Sequence, residues 1–105
     1  MAVGSASAIR IYLFYTMKLK RYWFVIYPQF RYSQGNFGVT AYSITEARQL
    51  LKETLAKLHW PIPENLDNAE VIENIDIRLL DQGHVIPNMG VVIFRGVWFP
   101  GLNFT

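Results

Sequence analysis

The side chains of this sequence that could catalyse a reaction lie around His84. Asp81 precedes it by three residues, and a carboxylate at that spacing can orient an imidazole as a general base. Asn88 and Arg95 follow closely and could line a pocket beside it. The other histidine, His59, stands near the expected end of a helix, where an imidazolium is favoured without any catalytic role. An enzyme or small-ligand site centred on His84 is therefore one hypothesis, and a hydrogen-bonded loop histidine explains the same residues.

Other catalytic and cofactor motifs are missing from the sequence. There is no cysteine, which excludes disulfides, thiolate zinc sites and cysteine nucleophiles. No serine stands in a G-x-S-x-G context, and no glycine-rich phosphate loop is present. The spacing of the two histidines matches no metal motif. We therefore predict no catalytic, cofactor-binding or metal-binding residues and a protein that is not an enzyme.

A basic and aromatic stretch near the N-terminus is typical of single-stranded nucleic-acid binding. Aromatic rings on a sheet can stack on bases while flanking cations hold phosphates. The candidate residues for these contacts are Lys18, Lys20, Arg21, Tyr22 and Arg31. A net charge of +2 is low for a nucleic-acid-binding protein, and no RNP-like signature accompanies the stretch. A core strand with a solvated cationic end explains the same residues, so nucleic-acid binding is an alternative hypothesis.

Charge is segregated along the chain. Residues 1–45 hold five basic residues and no acidic residue, whereas all eight acidic residues lie in residues 46–83. An acidic strip of this kind can steer a basic protein partner, although a solvated face is the simpler interpretation. Tryptophan and arginine are also enriched in interface hot spots. The candidate partner-binding residues are Glu70, Glu73, Asp76, His84, Asn88, Arg95 and Trp98.

Apolar spacing predicts a hairpin followed by a helix. Residues 19–27 and 37–42 are rich in β-branched and aromatic residues and are separated by turn-forming residues, as in two antiparallel strands. Ser43 and Glu46 then form a capping box at the start of an apolar stripe with helical spacing. Pro61 ends this helix, which should contain about 16 residues.

Two further strands complete the predicted fold. Alternating apolar residues predict a half-exposed strand over residues 73–79, and residues 90–99 predict a last strand. The order β-β-α-β-β favours an α+β fold, with an antiparallel four-stranded sheet and one amphipathic helix packed on one face. We expect residues 17–105 to form a single domain and residues 1–16 to be a flexible leader or an extension, an N-terminal arm of uncertain structure.

The aromatic content leads to the main functional hypothesis. Aromatic residues make up 15% of the chain, and one helix is too narrow to cover four strands. We therefore expect the second sheet face to be covered by the N-terminal arm, by a second copy or by a partner. The leading hypothesis is a small non-catalytic protein-interaction domain, an inhibitor or an immunity or antitoxin-like binding protein.

The remaining expectations concern assembly and location. A homodimer formed through the uncovered face or an edge strand is compatible with every hypothesis above. No secretory signal is recognisable, and charges interrupt every apolar stretch long enough to cross a membrane. We therefore expect a cytoplasmic protein with no membrane contact.

Overall fold

The structure, a computed structural model, describes residues 18–101. It contains a four-stranded antiparallel sheet and one α-helix, so the predicted α+β fold is confirmed. The strands are β1 (Lys20–Val25), β2 (Phe37–Ala41), β3 (Glu70–Glu73) and β4 (Gly96–Phe99), and the helix is α1 (Ile44–Lys57). The strand order is β3-β1-β2-β4, which places the predicted hairpin at the centre. The predicted leader lies outside the described residues, and the domain limits stay a prediction.

The start of α1 follows from its capping residues. The Ser43 hydroxyl accepts a hydrogen bond from the Glu46 amide at 3.1 Å. The Glu46 carboxylate in turn accepts from the amide of Tyr42 at 2.9 Å. The first bond satisfies an amide of the first helical turn and confirms Ser43 as the predicted cap. The Glu46 side chain reaches back as predicted, but it bonds to the amide of Tyr42, one residue before the amide of a standard capping box.

The helix covers one face of the sheet, here called the helix face. Side chains at alternate positions of β1 point towards α1 and pack with residues of β2. Ala47, Leu51 and Leu55 supply the apolar stripe of α1 that meets them. The buried residues of β1 and β2 on this face are Tyr22, Phe24, Val39 and Ala41, and Ile26 directly after β1 joins them.

The opposite face, here called the loop face, is covered by residues 75–92 of the same chain, the cover segment. Trp23 and Val25 of β1 pack there with Trp98 and Phe99 of β4. A register shift between β2 and β4 leaves Trp98 unpaired, so both β4 residues join this cluster. The cover segment buries Ile75, Leu80 and Val85 over them. This corrects the expectation that the second face needs an arm, a second copy or a partner to cover it.

The strand predicted over residues 73–79 is wrong. β3 ends at Glu73, and Asn74 adopts a left-handed conformation with φ of 55°. The Asp76 carboxylate then accepts from the Arg78 amide at 3.0 Å and begins a 3-10 turn over Ile77–Leu79. Side-chain bonds of this kind give the backbone an alternative to a strand ladder. The last strand is also shorter than residues 90–99, because β4 begins only at Gly96.

Candidate functional site

Two residues of the predicted basic set lie beside two residues of the predicted acidic set and pair with them. Because β1 pairs with β3, the Lys20 ammonium lies 2.5 Å from a Glu73 carboxylate oxygen. The Arg31 guanidinium donates to both carboxylate oxygens of Glu70. Each bond raises the pKa of the cation above its ordinary value. Exposed pairs such as these leave little net charge to attract either a polyanion or a basic protein.

Two candidate contact residues are buried, which corrects their assignment. Tyr22 is 3% exposed beneath α1, and Trp98 is 1% exposed within the loop face. Neither ring can reach a nucleic-acid base or a protein partner while the sheet is folded. Arg21 donates from Nε to the Ile75 carbonyl at 3.1 Å, whereas Lys18 is exposed. The structure thus separates the predicted basic residues from the aromatic ring meant to act with them.

Asp76 and Arg95, from the partner-binding set, are each engaged in an ion pair. The Arg78 guanidinium lies 2.8 Å from Asp76 and lowers the pKa of that carboxyl to about 2. Arg95 lies 3.1 Å from Glu46 at the start of α1, and this contact lowers the pKa of Glu46. Arg95 therefore supports the helix start instead of extending a site around His84.

The predicted contact between Asp81 and His84 is present, with Nδ1 of His84 3.1 Å from the carboxylate. The Ser33 hydroxyl donates to the same carboxylate at 2.8 Å, and the amides of Gly83 and His84 also bond to it. These bonds hold the pKa of Asp81 far below its usual range. Ser33 contacts the carboxylate and not the imidazole, so His84 does not activate it as a nucleophile. Asn88 donates to the carbonyl of His84 at 2.8 Å, which completes a tightly bonded turn.

Residues 18–101 contain neither a metal-ligand cluster nor a membrane-spanning helix. No group of three or more histidine, aspartate or glutamate side chains in this range is arranged to hold a metal ion. Within the same residues, no helix has the length and apolar character needed to cross a bilayer.

The described surface contains an apolar groove of about 530 Å³, here called the aromatic groove. It lies where the loop after β1 meets the loop after α1. A second hollow of about 410 Å³ shares Tyr27 and Gly35 with it and adds Phe30 and Gln34. The lining of the aromatic groove includes three aromatic residues, three prolines and one charged residue: Tyr27, Phe37, Trp60, Pro61, Pro63, Pro100 and Glu64.

A buried asparagine holds the first wall of the aromatic groove. Asn36 is 0% exposed, and its carbonyl oxygen accepts from the amides of Ile26 and Tyr27 at 2.8 and 2.9 Å. Its amide group donates to two carbonyls of the same loop at 2.6 and 3.0 Å. The Tyr27 ring lies against Gly35, where a Cβ would be only 2.7 Å from it, and φ of 92° also favours glycine. Asn65 donates to the Ile26 carbonyl at 3.0 Å and joins the second wall to the first.

The end of α1 positions the second wall. The Trp60 amide donates to the Leu55 carbonyl at 2.9 Å, and the His59 amide donates to Ala56 at 3.1 Å. His59 has φ of 57°, so these bonds form a Schellman motif with histidine in the left-handed position. The motif turns Trp60 back over the last turn of the helix, where its ring lines the groove with Leu55. Both walls are thus fixed by hydrogen bonds in the free protein.

Sequence analysis missed Tyr27, Trp60 and Ile62 as site residues. The signal for Tyr27 and Trp60 is a repeated dipeptide in which an aromatic residue precedes proline: Tyr27-Pro28, Trp60-Pro61 and Phe99-Pro100. Proline disfavours helical backbone for the residue before it and cannot continue a helix or a strand ladder, so an aromatic residue there lies at or just beyond an element end. All three dipeptides contribute a residue to the aromatic groove.

Comparison with protein families, with curated protein sequences and with solved structures finds no match for this chain. Function is therefore inferred from the geometry of the groove. An apolar, prearranged hollow with exposed tyrosine and tryptophan suits recognition of another molecule.

Proposed function

We propose that this domain is a non-catalytic protein-interaction domain that binds a segment of its partner in the aromatic groove. One observation carries the proposal: Tyr27, Trp60 and Ile62 remain 47%, 42% and 45% exposed around a hollow whose walls are already fixed. Tyrosine and tryptophan are enriched in interface hot spots because they bury a large area at low entropic cost. Exposed apolar surface gathered in one place is typical of an interaction site.

A protein segment suits this surface better than a small molecule. A small-ligand pocket encloses most of its ligand, whereas Tyr27, Trp60 and Ile62 in the lining of this groove are nearly half exposed. The second hollow continues the apolar surface past Tyr27 to Phe30, which is 59% exposed. An extended segment can lie across both hollows and bury both rings. Masking another protein in this way is the action of an inhibitor or an immunity-like protein, and we propose that role as the more specific form of the function.

The sheet itself gives no support to a partner, because both its faces are covered within residues 18–101. A second exposed apolar surface lies over residues 91–94, where Val91, Ile93 and Phe94 are 60–70% exposed. None of these three residues lines the aromatic groove or the second hollow, so they serve as the comparison surface in the experiment.

The test compares two variants that each place a charge in one apolar surface. Proteins from a cell extract are captured on immobilised wild type, Trp60→Glu and Phe94→Glu, after circular dichroism shows that all three are folded. We expect a protein that wild type and Phe94→Glu retain and that Trp60→Glu loses, because a buried charge opposes desolvation of the groove. Equal retention by Trp60→Glu contradicts the proposal. If Phe94→Glu alone loses the captured protein, the interface lies at residues 91–94 and not in the groove.

Light scattering tests whether the partner is a second copy of the chain. A 12.2 kDa species at all concentrations excludes the homodimer. A dimer that Trp60→Glu converts to monomer would identify a second copy as the occupant of the groove.

A further inference from the structure

We infer that the aromatic groove recognises a lysine or arginine side chain carried by an extended, apolar segment of the partner protein. This inference rests on the proposed function and specifies the chemistry of its ligand. It depends on two features of the groove: its carboxylate has no bonding partner among the described residues, and the side chains around it are mostly aromatic and apolar.

Glu64 is the only carboxylate of residues 18–101 without a hydrogen bond or an ion pair. It is also the only charged residue that residues 18–101 contribute to the groove lining, so no described lysine or arginine offsets it there. The other carboxylates are paired with a cation or a side-chain donor: Glu46, Glu53, Asp67, Glu70, Glu73, Asp76 and Asp81. A protein that pairs its other carboxylates leaves this one available to a ligand. The charge complementary to the groove is positive.

The rest of the lining favours the same ligand. Tyr27, Phe37 and Trp60 bring three aromatic rings into one hollow. The face of an aromatic ring attracts an ammonium or guanidinium group, and tryptophan does so most strongly. The aliphatic stem of lysine or arginine can also pack on proline and isoleucine side chains while the charged end reaches a carboxylate. An anionic segment would instead meet the uncompensated charge of Glu64.

The tryptophans provide a local readout of binding. Trp60 is 42% exposed, whereas Trp23 and Trp98 are 0% and 1% exposed. Quenching of tryptophan fluorescence by acrylamide therefore reports on Trp60, and a peptide seated in the groove should protect it. The probes are acetylated and amidated peptides of sequence Ala-Leu-Pro-Xaa-Pro-Leu-Ala, in which Xaa is lysine, arginine, norleucine or glutamate.

We expect the lysine and arginine peptides to bind about tenfold more tightly than the norleucine peptide, which has a similar stem and no charge. Glu64→Gln should remove this preference. Glu53→Gln makes the same change at a carboxylate outside the groove and should keep it. Glu64→Lys should favour the glutamate peptide. Equal binding of the lysine and norleucine peptides, absence of binding by either, or an unchanged preference in Glu64→Gln overturns the inference.

The outcomes separate this inference from the proposed function. A partner that Trp60→Glu loses and Glu64→Gln retains leaves the protein-binding function standing and removes the basic side chain as its ligand. A partner that both Trp60→Glu and Glu64→Gln retain removes both proposals. Because Glu64 is exposed and makes no bond, its substitution should not disturb folding.

Discussion

The two faces of the sheet are buried equally well by very different means. On the helix face, a regular stripe of Ala47, Leu51 and Leu55 covers the sheet, and each is 0–2% exposed. On the loop face, Ile75, Leu80 and Val85 from an irregular segment achieve 0–1% exposure without helical or strand spacing. A sheet therefore needs apolar volume over it, and a regular element is only one way to supply that volume.

The cover segment needs more hydrogen bonds from side chains than α1 does. A helix satisfies its own backbone, whereas a loop must find other donors and acceptors. In the cover segment the carboxylates of Asp76 and Asp81 accept from backbone amides that follow them. Trp23 donates from Nε1 to the Arg31 carbonyl at 2.8 Å, and the Asp81 amide donates to Tyr32 at 2.9 Å. The loop face thus supports the same β1–β2 loop that forms the first wall of the aromatic groove.

The largest expected effect comes from removing one large side chain on each face. Trp23→Ala should lower the free energy of unfolding by about 3–5 kcal/mol, and Leu51→Ala by about 2–5 kcal/mol, because each leaves a cavity in a filled core. Urea unfolding followed by circular dichroism and by fluorescence measures both. If Trp23→Ala lowers the free energy of unfolding by much less than this and Leu51→Ala lowers it as expected, the loop face is only loosely packed.

Gly38 tests how closely the loop face is packed. A Cβ there would lie 2.5 Å from the Trp98 ring, so Gly38→Ala should cost about 1–3 kcal/mol of unfolding free energy through overpacking. Trp98→Phe should recover part of this cost in the double variant, because it shortens the ring and removes a buried N–H with no partner among the described residues. Gly83→Ala is the control, since its Cβ would meet only an Asp81 oxygen at 3.5 Å. Equal melting temperatures for both alanine variants would contradict the packing argument.

A smaller effect distinguishes the turns that lead away from each face. His59 at the end of α1 and Asn74 after β3 both have positive φ, at 57° and 55°. Histidine is strained there, so His59→Gly should stabilise the domain by about 0.5–1 kcal/mol. Asparagine tolerates this conformation, so Asn74→Gly should change the melting temperature less. A larger rise in melting temperature for Asn74→Gly than for His59→Gly would show that the strain lies at Asn74 and contradict the prediction.

The smallest effect is the pH dependence of the cover segment. Arg78 lowers the pKa of Asp76 from 3.8 to about 2 in the folded protein, so the pair stabilises the fold above pH 3.8 and this contribution disappears as pH falls through about 2. The stability difference between wild type and Asp76→Asn should therefore be constant near neutral pH and vanish below pH 2. Both side chains are exposed, so solvent keeps the difference small. A difference that grows on acidification would contradict the assigned direction of the pKa.

Sequence reasoning succeeded where one residue pattern has one structural meaning. Ser43 and Glu46 predicted the start of α1, and the apolar and aromatic runs around β1 and β2 predicted an antiparallel hairpin. It failed over residues 73–79, where alternating isoleucines are equally compatible with a strand and with a chain of turns. Asn74 and Asp76 favour the turns. Asn74 adopts a left-handed conformation directly after β3, and the Asp76 carboxylate accepts from the Arg78 amide.

The candidate site was harder to predict because its residues come from separate parts of the chain. The charged residues singled out from the sequence, such as Lys20 and Glu73, turned out to lie opposite one another across two strands. Pairing between distant strands cannot be read from local spacing, so the sequence alone does not say which acidic residue lies opposite which basic residue. Tyr27 and Trp60 were treated as ordinary element ends, since nothing in their local sequence places them side by side.

The sequence by itself determined the class of fold, the helix and its N-terminal cap, and the central hairpin, because these depend on periodicity and on contacts within a few residues. Only the tertiary structure decided what covers the loop face, which charges neutralise each other and where a groove opens. Those features depend on the packing of segments far apart in the chain. Such segments must fill the space between them and satisfy each other's hydrogen bonds, and the sequence of one segment does not show how they do so.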